Sequence, residues 1–318
     1  MKYTDSLQGA KPVLSLELIP PSRGSSLDEL NRCIDMLSVF EPKFITVTQH
    51  QQAVHIEEIN GEYVKIPANK KPGTVAVSAA IKQRFGIDTV PHIICAGNDK
   101  FRIEDMLIEL RYLGLENVFA LRGDPRPGFR FQPTVDGYAY AADLVRQIAD
   151  MNRGNYVTPG ESAVSADFCI GVAGYPEKHG EALNLERDVA HCMEKVKAGA
   201  HYIITQMFFD PEVYFRFVSL LRDAGVSVPI VPGIKPVADR ATLDLLPRSF
   251  QVSIPEALVS LLDSARTPTD ERKKGAAYMA SVIDRLLSAG VPGIHVFTYG
   301  QGHSTRRLLE QVFGHASV

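Results

Sequence analysis

Short apolar runs alternate with stretches of helical periodicity along the chain. Val13 to Ile19 (VLSLELI) predicts a strand closed by Pro20 and Pro21. Ser25 and Ser26 then offer N-caps, and Leu27, Leu30, Ile34 and Leu37 recur at helical spacing. Phe44 to Thr48 (FITVT) predicts a second strand. Residues 49 to 73 are mostly polar, and Asn60-Gly61 is a hairpin turn signal, so this stretch reads as a β-hairpin excursion. A helix follows over Thr74 to Phe85, capped by Gly86. Val90 to Cys95 predicts a third strand and Ile103 to Tyr112 a helix ending at Gly114. The fourth strand lies in Asn117 to Asp124 (NVFALRGD), where an apolar run ends abruptly in Arg122, Gly123 and Asp124, and Pro125 and Pro127 prevent its continuation.

The second half keeps the rhythm. A helix near Tyr138 to Met151 and a loop over Asn152 to Ser165 precede a fifth strand, Cys169 to Gly174. Helices over Asn184 to Lys197 and Pro211 to Ala224 flank a sixth, Tyr202 to Gln206. Val228 to Ile234 is the seventh, followed by helical stretches over Pro255 to Ser264 and Asp270 to Ala289. Gly293 to Phe297 is the eighth, before a last helix over Ser304 to Phe313. Eight strand–helix alternations predict an α/β fold, a closed (β/α)8 TIM barrel with a β-hairpin inserted after strand two. The whole of residues 1–318 is expected to form one catalytic barrel domain. A doubly wound sheet is the alternative, but it usually carries a glycine-rich first turn, and neither GxGxxG nor GxxxxGK[ST] occurs.

Composition narrows the class. The net charge of -3 argues against a nucleic-acid partner. The four cysteines, Cys33, Cys95, Cys169 and Cys192, form no CxxC pair, which fits reduced thiols and gives no zinc spacing. His179 and His191 lie too far apart for a metal-binding helix pair, so no metal is expected. The N-terminus lacks the apolar core of a signal peptide, and no run approaches the ~20 apolar residues of a membrane helix, so a cytoplasmic location is expected.

If the strands are parallel, their carboxyl ends share one rim. That rim collects Glu17, Thr48, His92, Arg122 with Asp124, Tyr175, Gln206, Lys235 and the Tyr299–Gln301 turn, whereas the amino ends begin with Pro12, Lys43 and Pro229. Glu17, inside LSLELIPP, falls where a strand points inward. Burial would raise its pKa and let it carry a proton as a general acid; a structural pairing with Arg122 or Lys235 is the competing role. The competing reading of Arg122 and Asp124 is a mutual ion pair at a solvated turn. His92, in an apolar strand, is open to a core role or a catalytic one. Lys235 in PGIKP would need desolvation and a carbonyl substrate to form a Schiff base. Phe208 and Phe209 read as core or pocket wall, and Lys70 with Lys71 as a solvated edge of the hairpin.

The motifs LSLELIPP, ITVT, VPHIIC, ALRGD, AGYPEKH, ITQMFFD and VPGIKPV, from about Leu14 to Phe297, resemble in order and spacing those of the methylenetetrahydrofolate reductases. The length is similar to that of the bacterial type, a barrel without the regulatory domain of eukaryotic homologues. The resemblance implies FAD at the barrel mouth and a ping-pong reaction. NADH or NADPH would reduce the flavin, and methylenetetrahydrofolate would then be reduced to methyltetrahydrofolate.

By the same resemblance Glu17 is the general acid and Asp124 the carboxylate near the flavin's pyrimidine end. Thr48 and Gln206 would contact folate or nicotinamide, with Gln301 also at the substrate. Flavin contacts would fall to Thr48, His92, Arg122, Gly123, Asp124, Tyr140, Ala141, Tyr175, His179, Ala182, Asp188, His191 and Lys195. Of these, Arg122, His179 and Lys195 would face phosphate or ribose, and Asp188 the ribose hydroxyls. The chain departs from the better-known bacterial enzymes at Gln49, His50 and Gln51, where they carry an aromatic and small residues. They also place an arginine near Gln301 and a phenylalanine in the region of Leu246.

A homo-oligomer is expected. Three roles are open to the hairpin: covering the mouth, contacting a neighbouring subunit, or docking an electron-donor protein partner. Two other functions compete, a cofactor-free barrel lyase or aldolase using Lys235 with Glu17, and a non-catalytic flavin- or folate-binding subunit of a complex.

Overall fold

The computed structural model describes residues 1–51, 53–68, 71–125, 129–160, 164–300 and 302–314. In chain order the first half comprises α1 (Tyr3–Ser6), β1 (Val13–Leu18), α2 (Asp28–Leu37), β2 (Phe44–Val47), β3 (Ala53–Ile59), β4 (Glu62–Ala68), α3 (Thr74–Phe85), β5 (Asp88–Ile94), α4 (Lys100–Tyr112) and β6 (Asn117–Leu121). Then come α5 (Ala141–Asn152), β7 (Cys169–Gly174), α6 (Leu185–Ala198), β8 (Tyr202–Met207), α7 (Pro211–Asp223) and β9 (Ile230–Ile234). The chain closes with α8 (Arg240–Phe250), α9 (Glu256–Asp263), α10 (Pro268–Ser288), β10 (Gly293–Phe297) and α11 (His303–Phe313).

Eight parallel strands close a barrel in the order β1-β10-β9-β8-β7-β6-β5-β2, as the alternation predicts. β3 and β4 pair antiparallel with each other as a separate two-stranded sheet. Asn60 and Gly61 both adopt positive φ at its tip, the conformation that a tight hairpin turn of this kind needs. Two helices carry no clear signal in the sequence. α1 is only one turn long, and α8 contains Pro247, which reads as a break. Asp239 nevertheless starts α8 by accepting a hydrogen bond from the Thr242 backbone N–H at 2.7 Å.

Period-two alternation sorts the barrel strands into two layers. On β1, Leu14, Leu16 and Leu18 face the helices and join the large outer core, while Val13 faces inward. Inside the barrel, Val13, Phe44, Val90, Phe119, Cys169, Tyr202, Ile204 and Val231 pack together. The N-terminal segment closes the floor of this interior. Tyr3 is fully buried, stacks on Tyr202 at 4.3 Å and lies 4.6 Å from Phe44. Asn117 clamps the segment: its side-chain carbonyl accepts from the Tyr3 backbone N–H at 2.7 Å, and its amide donates to the Met1 carbonyl at 2.9 Å. Gly171 makes room for this arrangement, since a Cβ there would lie 2.3 Å from the Tyr202 ring. The floor is therefore filled, and the opposite end is left for chemistry.

Candidate active site

Residues 13 to 18 alternate across the strand, so Ser15 and Glu17 share the inward face with Val13. Glu17 lies opposite Thr46 on β2 and Phe297 on β10. Its side chain is 19% exposed, at the mouth, and its carboxylate meets two inward histidines. His92 Nε2 lies 3.6 Å and His295 Nε2 4.0 Å from Oε2, both beyond a direct hydrogen bond. A hydrogen-bonded column runs below: His295 Nδ1 is 2.9 Å from Ser15 Oγ, which is 2.8 Å from the Tyr3 hydroxyl.

This surrounding corrects one expectation. Burial does push the Glu17 pKa up, but His295, His92 and Lys235 together outweigh burial and leave it below the ordinary glutamate value. In the free protein Glu17 is therefore a carboxylate, not a standing acid. Burial pushes His92 down to about 4 against the opposing charge of Glu17, so its ring is neutral at pH 7. Its Nε2 has no hydrogen-bond partner among the described residues, which makes it a buried polar atom aimed at the mouth. Burial also lowers the Lys235 pKa, with Glu17 opposing, and its ammonium sits 4.8 Å over the Tyr299 ring.

The segment after β2 crosses the rim. The Thr48 backbone N–H donates to the Leu18 carbonyl at 3.1 Å, which continues the β1–β2 pairing past Glu17. The Gln49 side chain accepts from the Ile94 backbone N–H at 2.8 Å, and the Gln51 side chain donates to the Asp124 carbonyl. Between them the exposed His50 places Nε2 3.1 Å from Thr48 Oγ1. Glu17 near the end of β1 and Asp124 just past β6 both stand at the carboxyl ends of parallel barrel strands, so the two carboxylates share one end of the barrel. Asp124 itself is exposed. Gly123 has φ +81°, and a Cβ there would lie 2.9 Å from that of Ala96, so no larger residue fits at this turn. Gln206 is half-buried beside an irregularity between β8 and β9, its side-chain Oε1 accepting from the Met207 backbone N–H at 2.9 Å. Gln301 lies outside the described residues.

Beside this mouth a groove of about 930 Å³ of empty space, part of it open to solvent, runs between the ends of β6 and β7 and helices α5 and α6. Arg122, Tyr140, Ala141, Tyr175, His179, Ala182, Asp188, His191 and Lys195, spread over about 75 residues of sequence, line it together. Ala141 and Ala142 belong to the first turn of α5, whose N-cap Tyr140 provides no side-chain cap. Its first backbone N–H groups and the positive end of the helix therefore remain available to an anion.

Arg122 pairs with Glu181 at 2.5 Å and lies 4.7 Å over the Phe131 ring, so its ion-pair partner is Glu181 and not the Asp124 or Glu17 that the sequence left open. Asp188 is buried and accepts from the His179 backbone N–H at 2.8 Å. Burial, with Arg122, holds the His179 pKa below its ordinary value. Lys195 donates to the Ala173 carbonyl and faces the Tyr175 ring at 5.8 Å. His191 is on the outer lip, 3.5 Å from Glu194.

Sequence reasoning missed Ser15, His295 and Glu181. For the first two a signal existed: alternation in VLSLEL and GIHVF puts Ser15 and His295 on the same inward face as Glu17. Among the described residues no group of three or more His, Cys, Asp or Glu side chains is arranged to hold a metal ion.

A family model described as methylenetetrahydrofolate reductase matches residues 2–313. The 5,10-methylenetetrahydrofolate reductase of Pectobacterium carotovorum is 31% identical over 294 residues, covering 92% of this chain and 87% of that protein. The Escherichia coli enzyme of the same name is 30% identical, covering 90% and 85%. Methylenetetrahydrofolate reductase 2 of Saccharomyces cerevisiae is 29% identical, over 98% of this chain and 50% of its own length. The chain thus spans about half the length of the curated eukaryotic relatives it matches. An uncharacterized protein from Clostridium thermocellum that binds two copies of 5-methyl-5,6,7,8-tetrahydrofolic acid has a similar fold, with a TM-score of 0.59 at 14% identity over 98% of both chains.

Proposed function

Because the chain belongs to the methylenetetrahydrofolate reductase family, we propose that it reduces 5,10-methylenetetrahydrofolate to 5-methyltetrahydrofolate with electrons from NADH or NADPH passed through FAD. The observation that carries this reading is the joint placement of Glu17 and Asp124 at one mouth, beside a groove with cations and an uncapped helix N-terminus.

The groove fits a dinucleotide of this kind. Arg122, Lys195 and the first turn of α5 would hold a pyrophosphate. Asp188 and His179 would border the ribose, and the small side chains of Ala120, Ala173 and Ala182 leave room for a flat ring. Bound FAD would supply the two-electron relay between nicotinamide and folate. His92, with its unpartnered Nε2 at the mouth, Gly123 and Tyr175 would border the same group, while Thr48 and Gln206 would contact folate or nicotinamide.

Glu17 then acts on the substrate. It donates a proton to the bridging folate nitrogen, which breaks the C–N bond of the five-membered ring and leaves a cationic iminium able to accept two electrons and a proton as hydride. Asp124 favours that cation through its negative charge. Because Glu17 is ionised in the free protein, it takes up a proton before it acts on the folate. The residues act as one catalytic barrel domain, cytoplasmic and assembled as a homo-oligomer.

Anaerobic stopped-flow absorbance tests the reading. NADH or NADPH bleaches a bound flavin, and methylenetetrahydrofolate restores its colour. Purified protein without flavin absorbance, or bleached protein that folate leaves bleached, would overturn it. The lowered pKa of Lys235 beside Glu17 favours the aldolase reading as the second candidate; borohydride trapping of a carbonyl substrate on Lys235 would establish it.

A further inference from the structure

We propose that Glu181 is a positioning residue of the groove: its carboxylate holds Arg122, and its backbone N–H fixes the proton of His179, for the phosphates of a bound dinucleotide. This rests on the reading of the groove as a flavin site and adds what keeps two of its side chains ready for an anion.

Arg122 follows directly on β6, and a side chain of that length left to itself samples many rotamers. Two contacts restrain this one. Its Nη1 donates to Glu181 Oε2 at 2.5 Å, and its guanidinium carbon lies 4.7 Å from the centre of the Phe131 ring. That hydrogen bond holds the Glu181 carboxyl below its ordinary value, so the pair is ionic at neutral pH. A guanidinium carries several N–H donors, and the bond to Glu181 uses Nη1 alone, which leaves others for a phosphate. Repulsion between the carboxylate and that phosphate is screened, because the Glu181 side chain is 56% exposed. The rotamer freedom already removed from Arg122 is a gain that binding need not supply again.

Glu181 is itself held by the turn that carries it. Its backbone N–H donates to His179 Nδ1 at 3.2 Å, the Ala182 N–H donates to the His179 carbonyl at 2.9 Å, and Lys178 Nζ donates to the Ala182 carbonyl at 3.0 Å. Asp188 anchors the other side, accepting from the His179 N–H at 2.8 Å. Lys178 adopts φ +93°, a conformation that side chains rarely take, so these bonds keep the turn in a strained shape. The first of them also decides a proton. Burial, with the charge of Arg122 after it, keeps the His179 ring neutral, and because Nδ1 accepts, its one proton sits on Nε2. His179, which lines the groove, is left with Nε2–H as a donor for a phosphate or ribose oxygen.

Binding measurements on the flavin-free full chain test this, by fluorescence titration with FAD and by calorimetry with ADP, which brings the diphosphate without the flavin ring. Glu181→Ala is expected to weaken both about tenfold. Glu181→Gln, whose amide oxygen still accepts from Arg122, loses less. Added to Arg122→Ala, the Glu181→Ala change costs nothing further, because the carboxylate acts through the guanidinium. Tighter or unchanged binding in Glu181→Ala overturns the proposal, and so does a loss that persists without Arg122. Nitrogen-15 NMR of the histidine rings, with His179 assigned from His179→Gln, should find the proton on Nε2; a proton on Nδ1 overturns the second half. Wild-type protein that binds neither FAD nor ADP overturns the flavin reading and this proposal with it, whereas wild-type binding that Glu181→Ala leaves unchanged overturns this proposal alone.

Discussion

Glu17 shows how a side chain's function depends on what faces it. An isolated carboxyl group in a barrel would keep its proton, yet His295 first, and Lys235 after it, help to leave this one below the ordinary glutamate value. Glu17→Gln is expected to retain flavin and its bleaching by nicotinamide while losing about 10²–10⁴-fold in the folate step; undiminished folate turnover would remove the proton-donor role. His92 makes a prediction about stability. Its pKa is about 4 in the folded protein and near 6.5 unfolded, so the unfolded chain binds the extra proton. That contribution is fully present above pH 6.5 and is lost as pH falls through about 4. It amounts to roughly 3 kcal/mol, because each tenfold difference in proton affinity is about 1.4 kcal/mol. Urea unfolding of His92→Gln between pH 7 and 4 should show a flatter pH dependence than the wild type. The inward placement of Glu17 could be read from VLSLEL, because a strand alternates. Its ionisation could not, because the groups that set it arrive from residues 92, 235 and 295.

At the scale of elements, runs such as FITV and GIHVF declared the barrel strands, since a strand covered on both faces is mostly apolar along its length. α8 stayed hidden because a proline inside a short helix looks like its end, and only the Asp239 cap reveals the start. The hairpin was legible as β3–β4 but not its purpose. Among the described residues its strands pair only with each other, and Ile56, Tyr63 and Val64 are exposed on it. Replacing residues 53–68 by a short glycine linker should therefore shift thermal unfolding by only a few degrees, because little of the barrel core depends on it. A collapse of the circular-dichroism melt would show that the hairpin supports the barrel. The groove beside the mouth carries a further expectation. Removing a groove cation in Arg122→Ala should weaken flavin retention about tenfold or more, given the strength of charge-assisted pairing to phosphate; unchanged retention on gel filtration would place the pyrophosphate elsewhere.

The molecule as a whole has a filled end and an open one. Tyr3 fills the first, stacked on Tyr202 and bonded to Ser15. Tyr3→Ala should cost about 3–5 kcal/mol in urea unfolding, as a large aromatic lost from a packed core does, whereas Tyr3→Phe keeps the stacking and should cost about 1 kcal/mol for the hydrogen bond. Equal losses would mean that the ring contributes little.

The barrel's seam joins the first strand to the last: β1 pairs with β10, and Ser15 on one meets His295 on the other. A nascent chain therefore carries Glu17 out of the ribosome long before the imidazole that helps to hold it ionised exists. The surroundings of Glu17 are therefore complete only when β10 closes the sheet, and a chain cut before that strand would lack both the seam and the imidazole that faces the carboxylate.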